Sequence, residues 1–261
     1  MKKRILAVVL AALFVVLTLS FAGCSKTDAT DLEYVQDKGT LVVGITDYPP
    51  MDYKEDGSNE WTGFDAEFAR LFGEKLGVAV EFVEIDWDNK FFELDSKAID
   101  CIWNGMTITD EAMANASVSD AYVKNAQVVV MAEDKLAQYA TVDSIKDLTF
   151  ACESGSAGED ALEAAGLNFT AVLTQTNALM EVESGAADAC VIDITMADAM
   201  TKDGASYADY GYSIELTSEE YGIAFRQGSD LTAAVNSYMD EIIADGTLGA
   251  LAEKYELTLV G

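Results

Sequence analysis

Asp193 closes an apolar run, residues 189–192, and a second largely apolar stretch follows it. A carboxylate there stands at the carboxyl end of a predicted strand, where α/β proteins gather their ligands. It would accept a charge-assisted hydrogen bond from a cationic group, about twice as strong as a neutral one. The same residue type is also a good N-cap for a helix beginning at Ile194. Asn104, Gly105, Met106 and Thr107 follow another apolar run, and Gly105 permits close backbone approach. That segment reads as a ligand-facing turn or as an ordinary strand-to-helix connection with Thr109 as N-cap. Ser156 and Ala157 open a predicted helix, whose free N–H groups would attract an anion. Glu159 and Asp160 are equally what a plain helix start prefers. Tyr48 and Trp87 offer aromatic faces to a ligand or to the core. Asp47 would take a cation or simply make a turn.

What the chain lacks is as informative. It has no histidine, the commonest general base and metal ligand. Cys101, Cys152 and Cys190 sit in apolar stretches without CxxC spacing, and read as buried small hydrophobes. No metal site and no cofactor is expected, and the chain reads as a binding protein and not an enzyme. The 46 acids against 16 Lys+Arg, a net charge of −30, exclude a nucleic-acid partner. Hydrophobic residues make up 50% of the chain, which excludes general disorder.

The elements that must hold these residues alternate. Strands are predicted at 41–45, 78–85, 101–103 and 127–131, and again at 149–152, 169–173, 189–192 and 221–225. Helices are predicted near 64–76, 89–96, 110–115, 156–165, 177–184 and 194–201. Phe64, Phe68, Leu71, Phe72 and Leu76 share one helical face, and Gly77 ends it. The C-terminal stretch carries two further helical stripes, broken at Gly246. This rhythm predicts parallel α/β sheets in two lobes. The second run is short, so its last strand should return to the first lobe. The chain would then cross twice, near 128–131 and 221–225, and the cleft between the lobes would bind a small ligand.

Lys2, Lys3 and Arg4 precede an apolar stretch that ends in Phe21-Ala22-Gly23-Cys24. A basic head, an apolar core and small residues before a cut site make a secretory signal, residues 1–23. Ala22-Gly23-Cys24 resembles a lipoprotein box, which would make Cys24 the lipidated first residue of the mature chain. That would place the protein outside the cytoplasm, anchored to the membrane. A polar tether is expected over 24–37, then lobe 1 over 38–131, lobe 2 over 132–219 and the return to lobe 1 over 220–261.

Several short motifs keep their order along the chain: Leu41-Val42-Val43-Gly44, Tyr48-Pro49-Pro50, Gly63-Phe64-Asp65, the segment from Asn104 to Thr109, Ser154-Gly155-Ser156, the segment from Asp188 to Asp193, Tyr221-Gly222-Ile223-Ala224 and Asp245-Gly246-Thr247-Leu248. In this order they resemble the polar amino acid-binding proteins of ABC importers, the extracellular solute-binding proteins of family 3, over about residues 38–261. The resemblance implies a two-lobe, type II periplasmic-binding fold, a monomer that closes like a flytrap and hands a polar solute to importer membrane subunits. It implies that Asp193 accepts the ligand's α-ammonium group. It assigns main-chain and hydroxyl contacts to Asn104, Gly105, Met106 and Thr107, the carboxylate to Ser156 and Ala157, and the ligand side chain to Tyr48 and Trp87.

One position departs from the resemblance. The family pattern Thr-x-Thr-x-x-Arg places a carboxylate-gripping arginine where this chain has Ala112. Arg70 and Arg226 are the arginines beyond the signal. Arg70 should face solvent, and Arg226 follows a strand at a place the family does not use for ligand. Either main-chain N–H groups and a lysine hold the carboxylate, or the ligand has none. The second alternative is a cationic amine. A ligand-sensing receptor domain is a further alternative to uptake.

Overall fold

A computed structural model describes residues 29–261, of which Asp31–Gly261 form one compact unit. The expected signal segment and Cys24 lie outside the described residues. The tether expected to run to residue 37 stops sooner, because Asp31–Lys38 forms helix α1. Val35 is fully buried there, and Asp31 is held at 3.0 Å by Arg226. Val35 is the one fully buried apolar residue of α1, too sparse a pattern to read as a helix face.

The first sheet contains β1 (Thr40–Ile45), β4 (Ala79–Glu84), β5 (Cys101–Thr107), β6 (Ser117–Val118), β7 (Val123–Asn125) and β13 (Glu219–Phe225), while β2 (Tyr53–Lys54) and β3 (Trp61–Thr62) pair separately. Its order is β4-β1-β5-β13-β6, with β7 also on β13. Helices α2 (Phe64–Leu76), α3 (Lys90–Asp95) and α4 (Asp110–Asn115) belong to this lobe. Phe64, Phe68 and Phe72 bury the predicted face of α2, and Gly77 caps it at φ 75°. Arg70 on α2 does not face solvent freely as expected. Its Nη2 donates to the Trp61 carbonyl at 2.6 Å and its guanidinium lies over the Phe82 ring. An arginine can bury its stem and stack its plane while its head finds a carbonyl.

The second sheet is β10-β9-β11-β8-β12, built from β8 (Gln127–Ala132), β9 (Thr149–Glu153), β10 (Asn168–Val172), β11 (Ala189–Asp193) and β12 (Tyr210–Glu215). Helices α5 (Ala157–Ala165), α6 (Gln175–Ser184) and α7 (Ile194–Thr201) accompany it, and α8 (Leu231–Ala244) and α9 (Thr247–Lys254) end the chain. The sheets are mixed, not purely parallel as predicted. β13 runs antiparallel to β5, and β8 antiparallel to β11. These are the strands that flank the crossings. A strand entering from the other lobe arrives against the direction of its neighbours.

The crossings differ from the expected places. Residues 128–131 and 221–225 lie inside strands of a single sheet each. The chain changes sheets at Ala126 and again between Glu215 and Glu219. The two connections are bonded to each other: the Leu216 N–H donates to the Gln127 carbonyl at 2.7 Å, and the Gln127 N–H to Thr217 Oγ1 at 2.9 Å. Cys101, Cys152 and Cys190 are all free and buried.

Candidate functional site

Strand ends from both lobes meet in a cavity of about 30 Å³, room for about one water. The cleft is therefore nearly shut. Tyr48, Trp87, Asn104, Gly105, Met106, Thr107, Ser156, Ala157 and Asp193 all line it. Asp47 does not: it sits beside the cavity, its carbonyl accepting from Thr176 Oγ1 at 3.4 Å. Burial and the neighbouring Glu84 push the Asp47 carboxyl above its usual range. A larger groove of about 710 Å³ follows the crossings and the segment from Lys254 to Thr258, and it contains none of the expected site residues.

Asp193 ends β11 and occupies the N-cap position of α7, but its carboxylate makes no cap bond. Its Oδ1 instead accepts from Asn125 Nδ2 and, at 2.8 Å, from Gln127 Nε2, and its Oδ2 accepts from Gln175 Nε2. Gln175 Oε1 in turn takes the Asp193 N–H at 2.9 Å. Three amides thus fix the carboxylate from three elements. Burial first, and then the charge of Glu219, push it up to about 6, so it is still mostly ionised at neutral pH.

Asn104 to Thr107 continue β5 instead of forming a turn. Gly105 sits at φ 55°, and a Cβ there would lie 2.6 Å from the Tyr48 ring and 3.2 Å from Tyr221. The glycine therefore serves packing of two rings behind the cavity as well as backbone access. The Asn104 side chain is consumed by the fold: it accepts from Thr46 N and Oγ1, and donates to Asp52 Oδ2 at 2.7 Å. Asp65 takes the Gly105 N–H at 2.6 Å and the Tyr122 hydroxyl at 2.9 Å. Thr107 Oγ1 donates to Glu219 Oε2 at 3.0 Å.

Tyr48 is buried, and its hydroxyl bonds Thr195 Oγ1 in the other lobe and Tyr221 in its own. Trp87 lies in a short 3-10 turn at the cavity edge, with the Lys90 ammonium 5.1 Å from its ring centroid. Ser156 caps α5, accepting from the Glu159 N–H and donating to the Glu153 carbonyl at 2.7 Å. Glu159 takes the Gly155 N–H at 2.6 Å, so this helix start is partly answered by its own carboxylate.

Lys90, Glu111, Gln127, Glu153 and Gln175 also line the cavity and were not singled out in the sequence. Asp160 lines it too, and the sequence offers it only as a helix-start residue. Glu153 and Gln175 stand at strand-end connections, but an acid or an amide there reads equally as loop or helix-start chemistry. Lys90 had no signal, being one residue of a short helix. Ala112, where the family resemblance would place a clamp arginine, lines the same cavity at 2% exposure. Neither arginine among the described residues stands in that place. Arg226 is buried against Asp31, Asp100 and the Ile99 carbonyl. Among the described lining residues Lys90 is the one base; its Nζ donates to the Gly155 carbonyl at 2.7 Å and the Trp87 carbonyl at 3.3 Å. Burial pulls its ammonium below the usual lysine range. Among the described residues there is no His/Cys/Asp/Glu group able to hold a metal.

The sequence pattern of the bacterial extracellular solute-binding proteins, family 3, matches residues 41–258. The chain belongs to this family. Among curated relatives of this family-3 protein, the L-cystine-binding protein TcyJ of Escherichia coli is 30% identical over 242 residues, covering 90% of each chain. The arginine-binding extracellular protein ArtP of Bacillus subtilis is 29% identical, covering 98% of each. Among solved structures, a mutant of ArgBP from T. maritima superposes with a TM-score of 0.80 at 30% identity, covering 86% of this chain and 98% of the other. An ancestral amino acid-binding protein, described as a precursor of cyclohexadienyl dehydratase, gives 0.80 at 30% identity, covering 86% and 98%. The family-3 chain has the two-lobed, type II periplasmic-binding fold. Its relatives are binding proteins and not enzymes, and it is a solute-binding protein likewise.

Proposed function

We propose that the chain is the extracytoplasmic, lipid-anchored substrate-binding component of an ABC importer, and that it captures a small amino acid or related polar solute by closing its cleft. The observation that carries this reading is the Asp193 carboxylate, held by three amides at the wall of a cavity shared by both lobes. Donors fixed in advance keep the acid aimed while a solute's ammonium approaches. Asn104 to Thr107 from one lobe and Ser156 and Ala157 from the other supply the main-chain contacts. The relatives' substrates include cystine and arginine, both carrying an α-ammonium group.

A second reading has its own support. Glu111, Glu153, Asp160 and Asp193 line the cavity against the single base Lys90, with Ala112 at the clamp position. Such a lining favours a cationic amine over a neutral zwitterion. Titration calorimetry against amino acids and simple amines tests both. Heat with amino acids alone retires the amine reading, heat with amines alone retires the amino acid reading, and no heat from either class overturns solute capture.

A further inference from the structure

Glu153 is the last residue of β9, is 2% exposed and lines the cavity, yet its Oε1 has no hydrogen-bond partner. A buried acceptor without a donor costs free energy and calls for a reason. Asp193 shows what a structurally committed acid looks like here, with three amide donors on its two oxygens. Lys90 is near enough to be felt electrically, but no ion pair joins it to Glu153 among the described residues, and its ammonium is engaged by two carbonyls. Ala112 brings no charge of its own to the shared cavity. Gln175 lines the same cavity. Its amide donates to Asp193 Oδ2, while burial first, and then the charge of Asp193, push the Glu153 carboxyl well above its usual range.

We infer that Glu153 receives a second basic group of the solute, so that the cleft selects compounds with two basic nitrogen groups, one for Asp193 and one for Glu153. This rests on the reading that the cleft captures an ammonium-bearing solute. The charges agree with it. With Lys90 retained, two buried acids are neutralised by a solute of net positive charge, whereas a neutral zwitterion leaves one of them uncompensated. Both acids line one cavity of about 30 Å³, so a solute that reaches both carries its two nitrogens a short carbon chain apart.

The test uses matched probes that differ by one amino group: 1,4-diaminobutane against 1-aminobutane, and ornithine against norvaline. Calorimetry on the purified protein should show the second amino group raising affinity about tenfold or more in whichever pair binds. The diamine pair and the amino acid pair separate the two sources of a second basic group. Glu153→Gln should abolish the preference, the doubly basic probe losing at least about tenfold more affinity than its single-amine partner. Gln keeps the volume and removes the acid, and the wild-type comparison needs no variant. Equal affinity within each pair overturns the inference but leaves solute capture standing. A preference that survives Glu153→Gln also overturns it. If no probe and no other amino acid binds, both fall.

Discussion

Tyr48 Oη and Thr195 Oγ1 lie 2.5 Å apart, and they belong to different lobes. Thr195 also meets Tyr221 Oη at 3.0 Å, so one threonine hydroxyl fastens its lobe to two phenols of the other. Buried hydrogen bonds of this kind contribute about 1 kcal/mol each. Thr195→Val removes both with little change of shape. The expected outcome is a more open unliganded protein by small-angle scattering and a solute affinity lower by roughly fivefold or more. Unchanged scattering and affinity would show that the fastening does not hold the closed state.

Asp193 should dominate the affinity. Asp193→Ala leaves three amides without their acceptor and the solute's cation unpaired. The loss expected for a buried charge pair is about 2–5 kcal/mol, a fall of roughly thirtyfold or more by calorimetry. A fall of less than about threefold would move the ammonium site elsewhere.

The Asp193 carboxyl is pushed up to about 6 by burial. Above that pH it is ionised and ready. Below it, binding a cation must first expel a proton, so affinity should drop by up to about tenfold per pH unit. Calorimetry at pH 5 and pH 7.5 checks this, and equal affinity at both would contradict the role.

Ala112→Arg restores a carboxylate clamp at a position that already lines the cavity. Affinity for α-amino acids should rise about tenfold or more, and affinity for amines without a carboxylate should fall. If neither changes, the cavity has been remodelled beyond the loss of one arginine.

Asp65 is pushed up to about 7 by burial, against about 3.9 in an unfolded chain. The folded protein thus keeps a proton that the unfolded chain has released. Stability from this group is complete below about pH 4 and is lost as pH rises through about 7. Asp52 and Glu153, also raised by burial, act in the same direction. Urea midpoints should therefore fall between pH 4.5 and 7.5, about the window in which Asp65 differs between the two states. Asp65→Asn should flatten part of that fall, its Oδ1 still able to accept the Gly105 N–H.

Much of the cleft was legible because strand ends are legible. Asp193 could be placed from the apolar run before it, and Ser156 from the helix that follows. Glu153 and Gln175 were passed over since an acid or amide beside a Gly-Ser turn or a helix start reads as ordinary loop chemistry. What marks Glu153 is an empty hydrogen-bond position, which only coordinates reveal. Strand β12 escaped because Tyr210–Glu215 pairs on one side only, with β8, and its sequence YGYSIE lacks a buried apolar run. The crossings were displaced for a related reason: residues 128–132 are apolar throughout, and nothing in such a run says which sheet it joins.

The hydrogen bonds that tie Gln127 to Leu216 and Thr217 make the two crossings a flat strap and not a pair of independent strings. A strap flexes easily across its face and resists twisting. In the proposed closure such a strap would confine the lobes to a single arc, so that one rim of the cleft would open first and a solute would enter from one side, its orientation towards Asp193 settled before the cleft closed.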